Sequence, residues 1–147
     1  MMGIAYRCDA DIGLTIAVWD GTVTAQEWHA QSDRAHADPA WPAGRLFLTD
    51  VTTVSDVSHI TDELIAEMAK RMRDEVSERV ADARWALVAG DAFWMARKFA
   101  RVVDGIVQSM VAFNSLDTAC IWLGVDLGRA RAALRELRTE IRARDQH

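Results

Sequence analysis

Two stretches near the start of the chain alternate between apolar and polar residues, which is the pattern of half-buried β-strands. They span residues 4–8 and 12–19, and the polar segment "DADIG" between them predicts a hairpin turn. In the second stretch the alternating apolar residues are Ile12, Leu14, Ile16 and Val18. The chain is therefore expected to begin with two antiparallel strands.

Helical periodicity replaces this alternation after the hairpin. Thr24 followed by Glu27 is a capping box, and it predicts a helix that ends near Asp38, before Pro39. Thr61 begins a longer helix in which apolar residues recur every three or four positions. These residues are Leu64, Ile65, Met68, Met72, Val76 and Val80. Their spacing indicates a surface helix that packs on a sheet.

Short apolar runs alternate with helical segments through the rest of the chain. The runs at 45–51, 84–90 and 108–114 predict buried strands, and further helices are expected to be capped by Asp91 and Ser115. This alternation predicts an α/β fold with a mixed sheet of about five strands, in which the hairpin is followed by βα units. An extra amphipathic helix follows at the C-terminus.

The charge distribution separates a globular domain, residues 1–125, from this C-terminal helix, residues 126–147. The net charge is −7 in the first segment and +2 in the second, and the total of −5 argues against a nucleic-acid-binding protein. The helix has a narrow apolar seam flanked by arginines. The seam consists of Leu127, Ala130, Leu134, Leu137 and Ile141. We expect the helix to dock on the acidic domain or to pair in a homodimer, with a membrane surface as the alternative.

Only two cysteines occur, Cys8 and Cys120, and they lack the CxxC spacing of redox and metal motifs. Both are expected to be reduced structural thiols. No apolar run reaches the roughly 18–20 residues of a membrane span, and no signal peptide is recognisable at the N-terminus. The expected location is the cytoplasm, with peripheral contact at the inner face of the membrane as an alternative.

Four stretches, taken in order, resemble the SpoIIAA-like (STAS/SEC14-like) family of small bacterial proteins. They are "GTVTAQEW", "GRLFLTDV", "ARWALVAGD" and "VAFNSLDTACIWL". The last stretch resembles the ending of the family's domain through Phe113, Ala119, Trp122 and Leu123. The likeness covers about residues 4–124 and leaves the C-terminal helix outside.

The resemblance implies the STAS fold, no established reaction, and a role at a membrane surface or with a small ligand, since the fold is related to carriers of lipophilic ligands. Phosphorylated STAS proteins carry a serine in an Asp-Ser-Ser/Thr-Gly turn after the third strand. Ser58 lies near that place, but the turn here contains no glycine. The sequence therefore lacks the family's phosphorylation motif. A regulatory role of the anti-sigma-factor-antagonist type is kept as an alternative function.

The first candidate site is a polar loop from Asp50 to Thr61. It leaves the carboxyl end of a strand, where open α/β sheets commonly bind ligands. Asp50, Ser55, Ser58 and His59 are the residues expected to face a ligand. The alternative is that the polar side chains only satisfy a turn and a helix cap. His59 beside Ser55 or Ser58 is the one local pairing that could serve an enzyme, and hydrolase-like activity is kept as a minor alternative.

Histidine spacing raises a second candidate. His29, Asp33 and His36 lie on one face of the first helix, but a metal site needs further ligands. The polar face of an amphipathic helix explains these residues without a metal. No cofactor and no metal are therefore expected.

The third candidate is an aromatic residue that the core does not explain. On the helix that follows the strand 84–90, Trp94 points away from the apolar stripe and shares its side with Arg97 and Arg101. Such a tryptophan suits a protein interface, a membrane surface or a cation–π pair. Trp41, between two prolines, is expected to act as a mobile lid. The sequence thus predicts a non-enzymatic binding module for a partner protein, a small lipophilic molecule or a membrane surface.

Overall fold

The computed structural model describes residues 3–144, in which five strands form one sheet. The strands are β1 (Gly3–Asp9), β2 (Leu14–Thr22), β3 (Leu46–Asp56), β4 (Arg84–Val88) and β5 (Ser109–Phe113). Their spatial order follows the chain, so that β1 and β5 are the two edges. β1 is antiparallel to β2, and every other neighbouring pair is parallel. The mixed α/β sheet expected from the sequence is confirmed.

Five helices connect and cover these strands. They are α1 (Ala25–Ala37), α2 (Asp62–Val80), α3 (Phe93–Val102), α4 (Leu116–Leu123) and α5 (Leu127–Arg144). The side-chain oxygens of Thr24, Thr61 and Ser115 accept backbone N–H bonds at the starts of α1, α2 and α4, as the sequence predicts. Gly124 ends α4 in the left-handed conformation with φ 76°, which glycine adopts without steric cost.

The start of α3 differs from the prediction. Its N-cap residue is Ala92, which makes no side-chain capping bond, so Asp91 does not cap the helix. The amide of Phe93 instead donates to the carbonyl of Gly90 at 3.1 Å. A backbone turn therefore leads from β4 into α3, and local turn geometry here replaces the expected carboxylate cap.

The two faces of the sheet are covered by different helices. α1, α2 and α3 pack on one face, which we call the aromatic face, and α4 and α5 pack on the other. Alternation along the strands sends Trp19 to the aromatic face and Ile16 and Val18 to the opposite face. A largely parallel sheet needs cover on both faces, and this arrangement supplies it.

β3 is longer than the sequence predicts, which corrects the interpretation of Asp50–Thr61 as a loop. The strand continues to Asp56 because β2 also continues beyond Val18 and pairs with it, for example through Asp20 and Thr53. Only residues 57–61 remain as the connection to α2. Threonine and valine have a high propensity for strands. Pairing with β2 therefore makes this segment a strand although its sequence also contains residues typical of turns.

α5 is anchored by arginines that reach two buried carboxylates. Arg138 pairs with Asp50 at 3.1 Å, and Arg142 pairs with Asp20 at 3.0 Å. Asp50 and Asp20 are only 6% and 2% exposed. Because the apolar seam of α5 also lies in the core of this face, the basic helix docks on the acidic body of its own chain. The predicted boundary between the globular domain and the C-terminal helix, between residues 125 and 126, falls between α4 and α5. The outer ends of these two predicted segments, residues 1–2 and 145–147, lie outside the described residues.

The chain's single tyrosine connects β1 to the end of α1. The hydroxyl of Tyr6 donates to a carboxylate oxygen of Asp38 at 2.6 Å. Burial, and then this hydrogen bond to the carboxylate, raise the pKa of Tyr6 to about 12. The same hydrogen bond, with the Ala40 amide, lowers the pKa of Asp38. Tyr6 therefore stays neutral in the folded chain at pH values where a free tyrosine ionises.

The first prediction concerns the pairing of Arg138 with Asp50. Arg138→Met should lower the free energy of unfolding by about 3 kcal/mol, because it leaves a buried carboxylate without its cation. Arg131→Met is the matched control on α5, since Arg131 makes only a loose pair with exposed Asp117 at 3.7 Å; it should cost less than about 1 kcal/mol. Urea denaturation measures both. Equal losses for the two variants would contradict the anchoring role.

The second prediction concerns Tyr6. In the native protein the tyrosinate absorbance should titrate near pH 12, against about 10 in the denatured chain. Since the folded form holds its proton more tightly, the stabilisation is complete below about pH 10 and is lost as pH rises towards 12. Asp38→Asn should lower the native pKa only in part, because burial is the larger cause. A native midpoint near 10 would show that the hydroxyl is solvated.

Candidate functional site

A cavity of about 100 Å³ lies inside the layer between the sheet and helices α1–α3. The core of this face is divided into two clusters of buried residues, and the cavity lies between them, with members of both in its wall. Six tryptophan and phenylalanine rings contribute to the wall, besides the ring of Tyr6. They are Trp19, Trp28, Trp41, Phe47, Trp85 and Phe99. We call this space the aromatic cavity.

The rings of the aromatic cavity form two groups that hold each other in place. Trp28 makes edge contacts with Trp19 and Phe99, with centroids 4.9 and 5.5 Å apart. In the second group Phe47 stacks on Trp85 at 4.3 Å and meets the edge of Trp41 at 5.7 Å. The cavity lies between these two groups of rings, because large planar rings cannot deform to fill the space between them.

Most polar groups in the wall already have protein partners. The indole N–H of Trp85 donates to the Thr49 hydroxyl at 2.9 Å, and the Thr15 hydroxyl accepts from the Ala43 amide at 2.8 Å. Tyr6 is bonded to Asp38, as described above. Gln31, on α1, differs because its side-chain oxygen Oε1 is buried and accepts no hydrogen bond from any residue of the segment 3–144.

Access to the aromatic cavity lies between α1 and the hairpin. Several wall residues there are partly exposed, whereas those deeper under α2 are buried. The partly exposed wall residues on the hairpin and α1 are Tyr6, Ala17, Gln31, Ser32 and His36. Tyr6 and Ala17 are register partners on β1 and β2, so the open side follows one edge of the sheet.

Trp41 does not form the mobile lid that the sequence suggests. It is 6% exposed, contacts the ring of Phe47, and lies under the guanidinium of Arg79, whose Cζ is 5.2 Å from its ring centroid. Arg79 also donates to the carbonyls of His36 and Asp38 at 2.8 and 2.9 Å. The connection that carries Trp41 is thereby fixed to α2, and the ring is a wall of the aromatic cavity.

Asp50 lies on the opposite face of the sheet from the aromatic cavity. One carboxylate oxygen accepts from the Thr52 amide and hydroxyl at 2.8 and 2.6 Å, and the other accepts from Arg138. Its hydrogen-bonding capacity is therefore used to hold α5. The sequence suggested that Asp50 faces a ligand. In the structure it contacts Thr52 and Arg138 within the fold instead.

Ser55, Ser58 and His59 lie on the surface at the end of β3 and just after it. No hydrogen bond joins His59 to either serine in the described part of the chain, and the nearest acidic group is Asp56, with its oxygen 4.0 Å from Nε2 of His59. Asp56 accepts from the Ser58 amide at 2.9 Å, as in an ordinary turn. The structure thus does not bring these residues together as a nucleophile and its base.

The two thiols are also poor nucleophiles. Burial is the main cause that raises the pKa of both Cys8 and Cys120 above the ordinary thiol value, and a raised pKa disfavours the reactive thiolate. Cys120 is a buried residue of α4, and Cys8 lies half-buried on the edge strand β1.

The polar face of α1 pairs with α2. Arg71 of α2 donates to Asp33, to the carbonyl of His29 at 3.1 Å and to Glu75 at 2.8 Å. His36 pairs with Glu75 at 2.7 Å. Among residues 3–144 no group of three or more histidine, cysteine or acidic side chains is arranged to hold a metal ion. The histidine spacing seen in the sequence therefore serves helix–helix contact.

Trp94 projects from the surface of α3, as the helical wheel predicts, and is 46% exposed. The ammonium of Lys98 lies 5.1 Å from its ring centroid and pairs with Asp62 at 2.7 Å. Arg97 and Arg101 follow Trp94 at i+3 and i+7 on α3, and so lie on the same side of the helix. Neither arginine forms an ion pair with any residue in 3–144, and both line a groove whose wall does not include Trp94.

Arg97 and Arg101 line a groove between α3 and the edge strand β5, with a volume of about 460 Å³. We call it the edge groove. Its wall also contains Phe93, Asp104, Met110 and Ala112. β5 carries no charge and no proline in the segment "SMVAF", so its outer edge lacks two common protections against strand pairing.

Sequence reasoning missed most of the aromatic cavity. Of its tryptophans only Trp41 was singled out, and for another role. One signal was available, since six tryptophans are many for 147 residues and four of them line this single space. Strand alternation also places Trp19 on β2 and Trp85 on β4 on the same face of the sheet. Gln31 carries no such signal, because an isolated glutamine on an amphipathic helix resembles any solvated residue.

The described helices include none that is both long enough and apolar enough to cross a membrane. No family model matches the chain, and no curated protein matches it significantly.

One solved structure that the fold resembles is an uncharacterised protein from Shewanella loihica PV-4, described as a member of the DUF3478 family with a SpoIIAA-like fold. The TM-score is 0.53 at 15% sequence identity, and the superposition covers 84% of this chain and 95% of that one. At this identity the likeness concerns the fold. The chain therefore has the SpoIIAA-like fold that its sequence motifs suggest.

Proposed function

We propose that this protein is a non-enzymatic binding module that holds one small lipophilic molecule in the aromatic cavity. The observation that carries the proposal is a space lined by six tryptophan and phenylalanine rings on the aromatic face of the sheet. Protein interiors rarely leave such space, because an apolar void forfeits dispersion contacts on all its sides. A ligand would restore those contacts.

The volume limits the size of the ligand. An apolar cavity of about 150 Å³ is known to stay dry and to accept benzene, and the aromatic cavity has about 100 Å³. A single ring or a short branched chain suits this space, whereas a long acyl chain would extend through the open side by α1. A ligand of that size is expected to bind with a dissociation constant between about 1 μM and 1 mM.

Two further observations support binding without chemistry. The serines and His59 that could have served an enzyme are dispersed on the surface, and the pKa values of both thiols are raised. The SpoIIAA-like fold of the Shewanella protein adds no reaction to this picture, since that protein is itself described as uncharacterised.

The third prediction tests occupancy of the aromatic cavity with toluene as the probe. Toluene should shift the indole N–H signals of Trp19, Trp28 and Trp85 in a nitrogen–proton NMR spectrum, and should leave that of Trp94 unchanged. Ala96→Leu places extra methyl groups in the wall and should abolish the shifts.

A matched control distinguishes filling from general damage. Ala119 is as buried as Ala96 but lies in the core of the opposite face and is not a wall residue of the aromatic cavity; Ala119→Leu should cost about 1–3 kcal/mol through overpacking. Ala96→Leu should be tolerated better than Ala119→Leu in thermal unfolding. If toluene shifts no indole signal in the native protein, the proposed ligand-binding function is wrong.

The edge groove favours a second function, docking of a partner protein through an extended acidic segment. Ser109 donates to the carbonyl of Ala83, and the carbonyl of Phe113 accepts from Ala89, so these residues of β5 turn their backbone groups towards β4. The backbone groups of Met110 and Ala112 consequently point away from the sheet and can pair with an added strand. Arg97 and Arg101 border the same groove, and their charge selects acidic side chains.

The fourth prediction uses a short synthetic peptide of alternating glutamate and valine. It should bind the native protein, and Arg97→Glu combined with Arg101→Glu should abolish binding, as measured by fluorescence anisotropy. Arg135→Glu on α5 reverses one charge away from the groove and is the control, which should have no effect. If a lysine–valine peptide binds equally well, the groove does not select acidic side chains. If the native protein self-associates and the double variant does not, the segment that docks in the edge groove belongs to a second copy of this chain. The homodimer and the membrane contact stay predictions.

A further inference from the structure

Gln31 places an unsatisfied polar atom in the wall of an apolar space. Its Oε1 is buried, and no residue between Gly3 and Arg144 donates a hydrogen bond to it; no other buried side-chain oxygen or nitrogen in that range lacks a partner. Leaving a buried acceptor unpaired costs about 1–3 kcal/mol. Folded proteins contain few such groups, and they concentrate where something else supplies the partner.

The neighbouring polar groups do not supply that partner. Tyr6 donates its hydroxyl to Asp38, and Nδ1 of His36 is bonded to Glu75. The hydroxyl oxygens of Thr15 and Thr49 accept from the backbone of Ala43 and the indole of Trp85, and neither hydroxyl donates to Gln31. A water molecule is held in a protein interior by two to four polar groups, and most of the remaining wall is aromatic or aliphatic. The unmet acceptor is therefore better suited to a ligand that brings one polar group and otherwise presents apolar surface.

The charge of that ligand follows from the same wall. None of the residues that line the aromatic cavity carries a permanent charge, and Nδ1 of His36 is already hydrogen-bonded to Glu75. Burying an ion without a partner of opposite charge is far more costly than burying a neutral polar group. A carboxylate or an ammonium group is thus excluded from the interior of the cavity.

We infer that the ligand of the aromatic cavity is a small neutral alcohol of phenol size, whose hydroxyl group hydrogen bonds to Gln31. This inference rests on the proposed ligand-binding function. A hydroxyl group suits the position in either orientation of the carboxamide, because it donates to the oxygen and can accept from the nitrogen. The ring of such a molecule takes the place between the two groups of aromatic side chains.

The test compares phenol with toluene, which have the same shape and differ in the hydroxyl group. Toluene is the more hydrophobic of the two, so the informative quantity is the ratio of their affinities in native protein and in Gln31→Met. Loss of the hydrogen bond should lower the phenol-to-toluene affinity ratio by about five- to tenfold in the variant. Isothermal titration calorimetry supplies the affinities.

Ser32→Ala is the matched control, since Ser32 is the next residue of α1 and also lines the cavity; it should leave the ratio unchanged. Thermal unfolding of Gln31→Met should show a melting temperature no lower than that of the native protein, because the change removes a buried unpaired oxygen. An unchanged ratio in Gln31→Met, with toluene still bound, overturns the inference and leaves the proposed function intact. Failure of both compounds to bind the native protein overturns the proposed function itself.

Discussion

The structure depends on how α5 closes one face of a sheet that has to be covered on both. Two carboxylates, Asp20 and Asp50, are buried in the middle of neighbouring strands, where isolated charges would be strongly unfavourable. Arg142 and Arg138 neutralise them from a single helix. These pairs fix the position of α5 along its axis, and its apolar seam packs in one core with Ile16 and Val18. The basic segment is thus part of the globular fold.

The aromatic face follows a different packing regime. Its bulk comes from aromatic rings in two contact groups, one around Trp28 and one around Phe47. Branched aliphatic side chains adapt to one another and fill space, whereas rigid rings leave unfilled volume at the boundary between groups. The cavity at that boundary is therefore a product of side-chain composition, and the backbone topology alone would not create it.

Much of the fold could be predicted from the sequence because its signals are local. The helix starts are marked by side chains that accept backbone hydrogen bonds from three residues further on, as Thr24, Thr61 and Ser115 do. The apolar stripe from Leu64 to Val80 identifies the inner side of α2. The length of β3 could not be read in this way, since Thr53 is held in a strand by Asp20 from a distant part of the chain. The same reason applies to the site. The two prolines around Trp41 suggested a mobile residue, but Phe47 and Arg79 hold its ring in place. Gln31 is distinguished from a solvated glutamine only by the aromatic rings around it, most of which come from distant parts of the chain.

α3 forms part of two surfaces at once. Met95, Ala96 and Phe99 contribute its inner side to the aromatic cavity, while Arg97 and Arg101 contribute its outer side to the edge groove. α3 is only ten residues long, so a molecule that displaced its inner side would also displace the arginines on its outer side. Thermodynamic linkage makes any such effect reciprocal: whatever occupancy of the cavity does to affinity at the groove, occupancy of the groove does to affinity in the cavity, by the same factor. One short helix is thus the physical element through which this small domain could relay information between its interior and its surface.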